Sequence, residues 1–577
     1  MDLSVSSARS PYRLALGLLA LFVALATLAS VHRYPQTVFL NEWLATLWVV
    51  VFGGIVVAWP GRATIRLSGA LAALTLLIAC FAISGLAAAP GIATSFVLYG
   101  ALAMLTLVLI QHARSRTGEG LAQWLAGGFL LAALVQTVIS VAQLAGWSWH
   151  GFVMPKLLNS TYGNIAQPNH YGNLLWLGMV SGLYLWLRGR LPAWLAVLFA
   201  ADLAVFSALS ASRAVLLYTA GLPLLALLFW YRADAVERRR VWAAVAVITL
   251  LSCAAQAWVA FGGARDLLGV ASSIGRLDDA GSNTQRLFDW MVALRTAWAH
   301  PLAGTGIGSF AWQTGLHSIG LPPARFVRIG ENAHDTPLHL AAELGPVATL
   351  IIVGCFGLWL VRRLRERAVA ENFWALGLLG VLGAHSLVEY PLWYAYFIVP
   401  LGLAIGVLDG RDDSLATFEV PRWALALPLC LAVGVLGWTW RDYQALERGY
   451  ALINDDTPLT HAEREEVYRL AGTVSPYSMF ATHAGILKLR AWPAGDVADS
   501  RGMAALCDTA ARAKPSYTVL EKCVSAYAIQ QHRARATLMV DVICGAYPEP
   551  VRRALPAIVR EAWQHNGWPV PRRAGCV

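Results

Sequence analysis

The sequence predicts an all-α polytopic membrane protein with about 13 transmembrane helices, followed by a C-terminal soluble, repeat-like α-helical domain. Hydrophobic residues make up 57% of the 577 residues and charged residues only 14%, against about 25% in soluble domains. Long apolar runs alternate with polar connections up to about residue 440. Beyond it charged residues are frequent, and the apolar ones recur at helical spacing. Most of the chain is therefore expected to fold in a lipid bilayer.

The apolar runs are long enough, with their flanks, to cross roughly 30 Å of hydrocarbon. A cleaved signal peptide is the alternative for the first run, although the residues after it do not look like the start of a soluble domain. The expected spans are 14–30, 43–59, 67–88, 92–110, 121–145, 173–187, 191–210, 214–230, 241–260, 346–361, 373–388, 392–408 and 423–440. They define four parts, which are N-terminal transmembrane helices (1–260), a large loop (261–345), C-terminal transmembrane helices (346–440) and a helical domain (441–577).

Arginines accumulate in every second connection, which predicts the orientation of the chain. The opposite connections hold little more than Arg33, Lys156 and Arg213. The arginine-rich connections contain Arg9, Arg13, Arg62, Arg66, Arg114, Arg116, Arg188, Arg190, Arg238, Arg239, Arg240, Arg362, Arg363, Arg365, Arg367, Arg411 and Arg422. Membrane orientation thus accounts for the net charge of +10 without a nucleic-acid partner. We expect the arginine-rich side to be cytoplasmic, and the large loop and the C-terminal domain to lie on the opposite, external side of the membrane.

The large loop ends in the sequence ENAHDTPLHLAAELG, where His334 stands between polar neighbours. Thr336 is expected to cap the helix that begins there, with Pro337 in its first turn. The positive end of that helix would disfavour the imidazolium, which suits a histidine that accepts a proton from an attacking hydroxyl. The alternative is an interfacial histidine that only hydrogen-bonds a loop carbonyl.

The connection before the span at 173–187 is dense in amide and aromatic side chains. It reads GFVMPKLLNSTYGNIAQPNHYGN and contains Asn159, Tyr162, Asn164, Gln167, Asn169, His170 and Tyr171. Amide donors and aromatic rings are suited to sugar hydroxyls and faces, whereas any polar sequence would serve as a mere connector. We favour contact with a sugar or a phosphate.

Two arginines and one glutamate, all expected on the same side of the membrane as the large loop, are further candidates for the functional site. Arg213 comes after two serines close to the interface, where its guanidinium could snorkel or bind a lipid phosphate. Arg286 lies near the start of an amphipathic helix expected along the interface and closed by His300 and Pro301. Glu389 is expected to pair with an arginine of the loops, because an unpaired carboxylate at that depth is costly. The intervening GTGIGSF is predicted to be a tight turn, since no strand precedes it.

The C-terminal domain contains four cysteines, and an oxidising compartment would allow three pairings among them. Cys507 and Cys523 stand symmetrically about Pro515, as the two arms of a helical hairpin would place them. We predict that bond, and a second one between Cys544 and Cys576. The other four cysteines, Cys80, Cys253, Cys355 and Cys430, fall in the expected spans.

The combination of these motifs resembles a known family. Gln167-Pro168-Asn169-His170, Ser212-Arg213, Arg286 with HPLAGTGIGSF, His334 in ENAHDTPLHLAAELG, and HSLVEYPLWYAYF occur in the order found in bacterial protein O-oligosaccharyltransferases, the pilin glycosylation ligases of the O-antigen ligase and polymerase superfamily. The resemblance covers most of residues 10–410. Here Asp335 comes directly after His334, where many members have asparagine.

The resemblance implies an enzyme that transfers a glycan from undecaprenyl pyrophosphate to serine or threonine hydroxyls of exported proteins such as pilin. His334, Arg286 and Arg213 would be catalytic, and no cofactor or metal is expected. Residues implied in donor or acceptor binding are Gln167, Asn169, His170, Asn332, Asp335, Glu389 and Tyr390. Its partners would be the lipid-linked glycan, the acceptor protein and the bilayer. The alternatives are an O-antigen ligase acting on lipid A core, an O-antigen polymerase and, more remotely, a lipid-linked glycan transporter.

Overall fold

The structure is a computed structural model that describes residues 11–86, 88, 90–231, 233–321, 328–366, 369–453, 457–569 and 576. Arg9, Arg367 and residues 322–327 of the large loop lie outside the described residues. The described chain is almost entirely α-helical, and its one sheet has two short strands. This agrees with the predicted all-α class.

A helix overlaps each of the thirteen expected spans, although the first span, 14–30, is α-helical only as far as Ala20. These helices are α1 (Pro11–Ala20), α2 (Phe39–Ala58), α3 (Gly69–Gly85), α4 (Pro90–Thr117), α5 (Gly120–Leu144), α6 (Pro168–Leu187), α7 (Ala193–Leu209), α8 (Ala214–Trp230), α9 (Ala235–Phe261), α14 (Pro346–Leu364), α15 (Ala370–Ser386), α16 (Ala395–Asp409) and α17 (Trp423–Leu452). Among the described residues, seven helical segments are long and apolar enough to cross a membrane, and four more apolar helices are shorter. The chain is a multi-pass membrane protein, and thirteen crossings remain a prediction.

Close contact between α4 and α16 helps to form the core of this bundle. A β-carbon at Gly402 would lie 2.7 Å from the carbonyl oxygen of Ala103, and one at Gly406 would lie 2.7 Å from that of Leu107. Glycine at these two positions lets the helix backbones approach, as small residues do between membrane helices. Through this contact α16 holds the connection that precedes it, which contributes to the candidate active site.

On the arginine-rich side, β1 (Ala63–Arg66) pairs antiparallel with β2 (Thr417–Val420). This joins the connection after α2 to the one before α17. Arg363 at the end of α14 is fully buried and donates to Asp409 and Asp412 at 2.8 Å each. Buried charges persist only when paired in this way.

The large loop folds into α10 (Ala264–Leu268), α11 (Ala280–Ala299), α12 (Phe310–Ser318) and α13 (Thr336–Leu344). The glycines of GTGIGSF all have positive φ and form the predicted turn between α11 and α12. The predicted cap of α13 was wrong. Asp335 is the N-cap and accepts from the backbone N–H of Leu338 at 2.9 Å, whereas Thr336 is the first helical residue. The aspartate side chain stands one residue earlier and satisfies the N–H that the threonine was expected to satisfy.

The C-terminal domain consists of α18 (His461–Gly472), α19 (Ala481–Ala491), α20 (Ser500–Ala513), α21 (Tyr517–Ile529), α22 (Arg533–Ala546) and α23 (Leu555–His565). Since α17 runs unbroken from Trp423 to Leu452, the expected boundary at residue 441 falls inside a helix. Disulfides join Cys507 to Cys523 and Cys544 to Cys576, the two pairings expected from the sequence. The domain contacts the large loop directly, because a β-carbon at Gly545 of α22 would lie 2.4 Å from the carbonyl oxygen of Ser318.

Candidate active site

Five separate parts of the chain meet on the side of the bundle opposite the two-stranded sheet. They are the start of α6, the junction of α7 and α8, the first half of α11, the segment before α13, and the connection from α15 to α16. Most are ends of apolar helices, where polar side chains reach out of the hydrocarbon. The side chains that meet there are Asn169, Ser212, Arg213, Arg286, His334, Glu389 and Tyr390.

Glu389 is the centre of this group. One carboxylate oxygen, Oε1, accepts from Asn169 Nδ2 and from Arg286 Nη2, both at 2.8 Å. The other, Oε2, lies 2.9 Å from His334 Nδ1. Burial alone would raise the pKa of Glu389, but the hydrogen bond and charge of His334 and the charge of Arg286 hold it below its ordinary value. Glu389 is therefore an ionised carboxylate that joins three elements.

His334 is oriented by that carboxylate. Because a carboxylate oxygen accepts, Nδ1 carries the hydrogen, and in the neutral form of the ring this leaves Nε2 as the acceptor. The His334 side chain is 28% exposed, and its ring meets that of Tyr390 edge-on with centroids 5.2 Å apart. Its φ is +52°, a left-handed conformation that is unfavourable for a residue with a β-carbon. The backbone is thus held where the imidazole reaches Glu389 while Nε2 stays available.

Arg213 is the N-cap residue directly before α8. Its Nη1 donates to Asn283 Oδ1 at 2.8 Å and to the carbonyl oxygen of Arg276 at 3.3 Å. Arg276 in turn donates to the carbonyl oxygen of Ala211 at 3.1 Å, which ties the loop to the α7–α8 junction. Burial, and then the charges of Arg286 and Arg276, lowers the pKa of Arg213. Positive charge is therefore concentrated here.

The start of α6 supports the site in two ways. Asn169 accepts from Ser212 Oγ at 2.8 Å while it donates to Glu389, so it links the α7–α8 junction to the carboxylate. Gln167 caps α6 through the N–H of His170. The His170 ring is buried, with Nδ1 2.9 Å from the hydroxyl of Tyr396. Asn169 thus faces the site, whereas Gln167 and His170 hold the helix that presents it.

The remaining sequence candidates flank His334 and Glu389. Asp335 is half-buried, and its side chain caps α13. Asn332 is half-buried two residues before His334. Tyr390 is half-buried and stacks on Tyr394 with centroids 6.0 Å apart. All three lie within two residues of the imidazole or the carboxylate in the chain.

A cleft of about 440 Å³ opens beside these groups. Its polar lining consists of Asn169, Arg213, Asn283, Arg286 and Glu389. Its apolar lining consists of Ala214, Leu216, Leu217, Leu277, Leu287, Trp290 and Val388. Guanidinium groups next to a leucine-lined wall suit an anionic head attached to an apolar chain.

Sequence reasoning missed three residues of this region. Asn283 precedes Arg286 by three positions, so helical spacing alone would have put it on the same face. Arg276 and Asp289 carried no comparable signal, because the first lies in an irregular segment and the second in an amphipathic helix with several polar positions. The contact between Arg286 and Glu389 confirms that the glutamate meets an arginine of the loop.

Two regions of this chain match known protein families. Residues 195–353 match the family described as O-antigen ligase, and residues 373–557 match the family described as the C-terminal part of a virulence factor membrane-bound polymerase. Over these two regions the chain is similar to the O-antigen ligase superfamily. The first match contains Arg213, Arg286 and His334, and the second contains Glu389.

A curated relative extends the comparison. The chain is 24% identical over 325 residues to the General O-oligosaccharyltransferase of Acinetobacter baylyi (strain ATCC 33305 / BD413 / ADP1). The match covers 55% of this chain and 55% of the relative, so the chain matches about half the length of that protein. The similarity to the O-antigen ligase superfamily therefore rests on the two family matches together with this relative.

Proposed function

We propose that this protein belongs to the O-antigen ligase superfamily and transfers a glycan from undecaprenyl pyrophosphate to serine or threonine hydroxyls of exported proteins such as pilin. The reaction would take place on the periplasmic face of the bacterial inner membrane. The observation that carries the proposal is the 2.9 Å contact of His334 Nδ1 with Glu389, beside a cleft lined by Arg213 and Arg286. The name of the relative from A. baylyi supports the same chemistry.

The cleft supports a lipid pyrophosphate as the donor. Arg213 and Arg286 would bind the phosphate oxygens, since a guanidinium engages two oxygens with its planar fork. The leucine-lined wall would hold the first part of the prenyl chain. Because pyrophosphate is already a good leaving group, the residues mainly need to stabilise its charge and to orient the reactants. These cations would make a metal ion unnecessary.

His334 would act as the general base. The acceptor hydroxyl oxygen attacks the anomeric carbon, and its proton passes to Nε2 of His334. The bond from that carbon to the phosphate oxygen breaks, and undecaprenyl pyrophosphate leaves with the electron pair. Glu389 keeps the imidazole in the required tautomer and stabilises the imidazolium that forms, as the carboxylate does in other histidine dyads. The proton is then released to water or to the departing pyrophosphate.

The C-terminal domain supports a polypeptide acceptor. It contacts the large loop at α12, and Lys514 Nζ lies 3.5 Å from Glu331, three residues before His334 in the chain. Surfaces built from stacked helices commonly bind polypeptide. A chain that lacks the residues after about 442 should keep donor binding and lose acceptor glycosylation.

Coexpression tests this function. The chain is produced with a lipid-linked glycan, a pilin and lipid A in a host without its own ligase, and each product is examined for the glycan. We expect glycosylated pilin, which is absent in His334→Ala and retained in His300→Ala, an exposed histidine of the same loop. Glycan found only on lipid A would replace the proposal by the O-antigen ligase function.

A further inference from the structure

Asp289 is a buried carboxylate that the proposed mechanism does not use. It lies on α11, one turn after Arg286, and its side chain is fully buried. Its Oδ1 accepts from Gln285 Nε2 at 2.9 Å, and its Oδ2 has no hydrogen-bond partner among the described residues. An unsatisfied buried oxygen is costly, so its presence requires an explanation.

The neighbours of Asp289 hold the segment that leads to His334. Gln285 pairs with the backbone of Arg328 twice, donating to its carbonyl oxygen at 3.0 Å and accepting from its N–H at 2.8 Å. A β-carbon at Gly330 would lie 2.5 Å from Asp289 Oδ1, so the carboxyl packs directly on that residue. Thr314 of α12 donates to the carbonyl oxygen of Gly330 at 3.0 Å. Residues 328–330 are thus fixed between α11 and α12, four residues before His334.

We propose that Asp289, together with Gln285, is a positioning residue that holds residues 328–330 on α11 and so sets the place of His334 relative to Glu389 and Arg286. Its role in turnover rests on the proposed function. Such an anchor between α11 and residues 328–330 is needed, because the left-handed backbone conformation of His334 persists only where its surroundings hold it.

The charge of Asp289 makes this anchor sensitive to pH. Burial, opposed by the hydrogen bond from Gln285 and the charges of His334 and Arg286, raises the pKa of Asp289 to about 7. Once the segment opens and water reaches the carboxyl, the pKa should return towards its ordinary value of about 3.9. The closed state then binds the proton more tightly. Its stability falls as the pH rises from about 4 to 7 and is constant above that.

The direct test is amide hydrogen exchange of residues 328–334 in the full-length protein, expressed as protection factors so that the intrinsic pH dependence is removed. At pH 5, where Asp289 is protonated, Asp289→Ala and Gln285→Ala should each lower protection there about fivefold to tenfold, as expected for the loss of an anchoring hydrogen bond. Asp266→Asn, an exposed aspartate of the same loop, is the matched control and should change nothing.

The substitution Asp289→Asn removes the negative charge of the side chain but keeps its size and shape. Wild-type protection should fall about tenfold or more between pH 5 and pH 7 and then level off, whereas Asp289→Asn should stay at the low-pH level throughout.

In a transfer assay Asp289→Ala should lower kcat while donor Kd stays constant, and Asp289→Asn should restore kcat. Unchanged protection in both Asp289→Ala and Gln285→Ala would overturn the proposal. Altered protection in a chain that transfers no glycan would overturn the proposed function alone.

Discussion

Two clusters of arginine and carboxylate side chains lie at opposite ends of the membrane helices, and they differ in the ratio of cations to carboxylates. Near the end of α16, Arg363 is fully buried and bonded by Asp409, Asp412 and Glu366. Before the start of α16, Glu389 is shared by Arg286, His334 and Asn169. One cation meets three carboxylates in the first cluster, whereas one carboxylate meets several donors in the second.

The difference separates a structural cluster from a binding site. The surplus of carboxylate around Arg363 neutralises it completely, so that cluster can hold helices together but cannot attract an anion. Arg286 is 21% exposed, borders the cleft and shares its carboxylate with a histidine. Positive charge without full local compensation is what an anionic substrate requires. Substitutions in the two clusters should therefore differ in effect, and the largest loss of stability is expected at Arg363.

Arg363→Ala should unfold the protein far more readily than Arg286→Ala. It leaves the fully buried Asp409 without its cation, and loss of one partner of a buried pair typically costs about 3–5 kcal/mol. The free energy of unfolding in detergent measures the loss, with the exposed Arg422→Ala as the control. Equal destabilisation by Arg363→Ala and Arg286→Ala would mean that both clusters are structural.

Glu389→Gln should lower kcat about 10²-fold, since general-base catalysis contributes about 10²–10⁴-fold and the histidine loses the carboxylate that orients it. The pKa of Glu389 is held below its ordinary value of about 4.3. Its stabilising contribution is therefore complete above about pH 4.3 and is lost only as the pH falls through the lower folded value. The value of kcat is measured above about pH 5.5, where Glu389 is ionised and the substitution removes its charge. Wild-type kcat in Glu389→Gln would show that the carboxylate does not orient the base.

Arg286→Lys should weaken donor use about tenfold, because an ammonium keeps the charge but loses the planar fork that engages two phosphate oxygens. The Kd for lipid pyrophosphate in nanodiscs measures this change. Arg295→Lys, an exposed position on the same helix, is the matched control. An unaltered Kd in Arg286→Lys would indicate that the donor phosphate is bound by the positive charge alone and not by the planar fork of the guanidinium.

Asp335→Ala should have the smallest effect. Loss of the cap on α13 costs about 0.5–2 kcal/mol of local stability, and Asp335→Asn should recover most of it. Hydrogen exchange at the N–H of Leu338, which donates to Asp335, reports the change. If both variants exchange alike, the side chain does not cap the helix in solution.

The sequence predicts much of the fold because span length and apolar content depend only on local residues. The resemblance of its motifs to a known family also predicts that His334, Arg286 and Glu389 belong to one site. The sequence could not predict that Glu389 binds His334, because this contact joins residues 55 positions apart, one before α13 and the other after α15. The sequence also could not decide whether Asp335 or Thr336 is the N-cap of α13, because adjacent residues of similar capping ability differ only in backbone conformation.

The most direct test of the central claim uses the purified protein with a defined undecaprenyl-pyrophosphate glycan and a purified pilin, in the presence of a chelator. The glycosylated pilin and the released lipid pyrophosphate are both measured. Wild type should form them in equal amounts, while His334→Ala should bind the donor with unchanged Kd and form neither. Turnover by His334→Ala at the wild-type rate would contradict the assignment of His334 as the base.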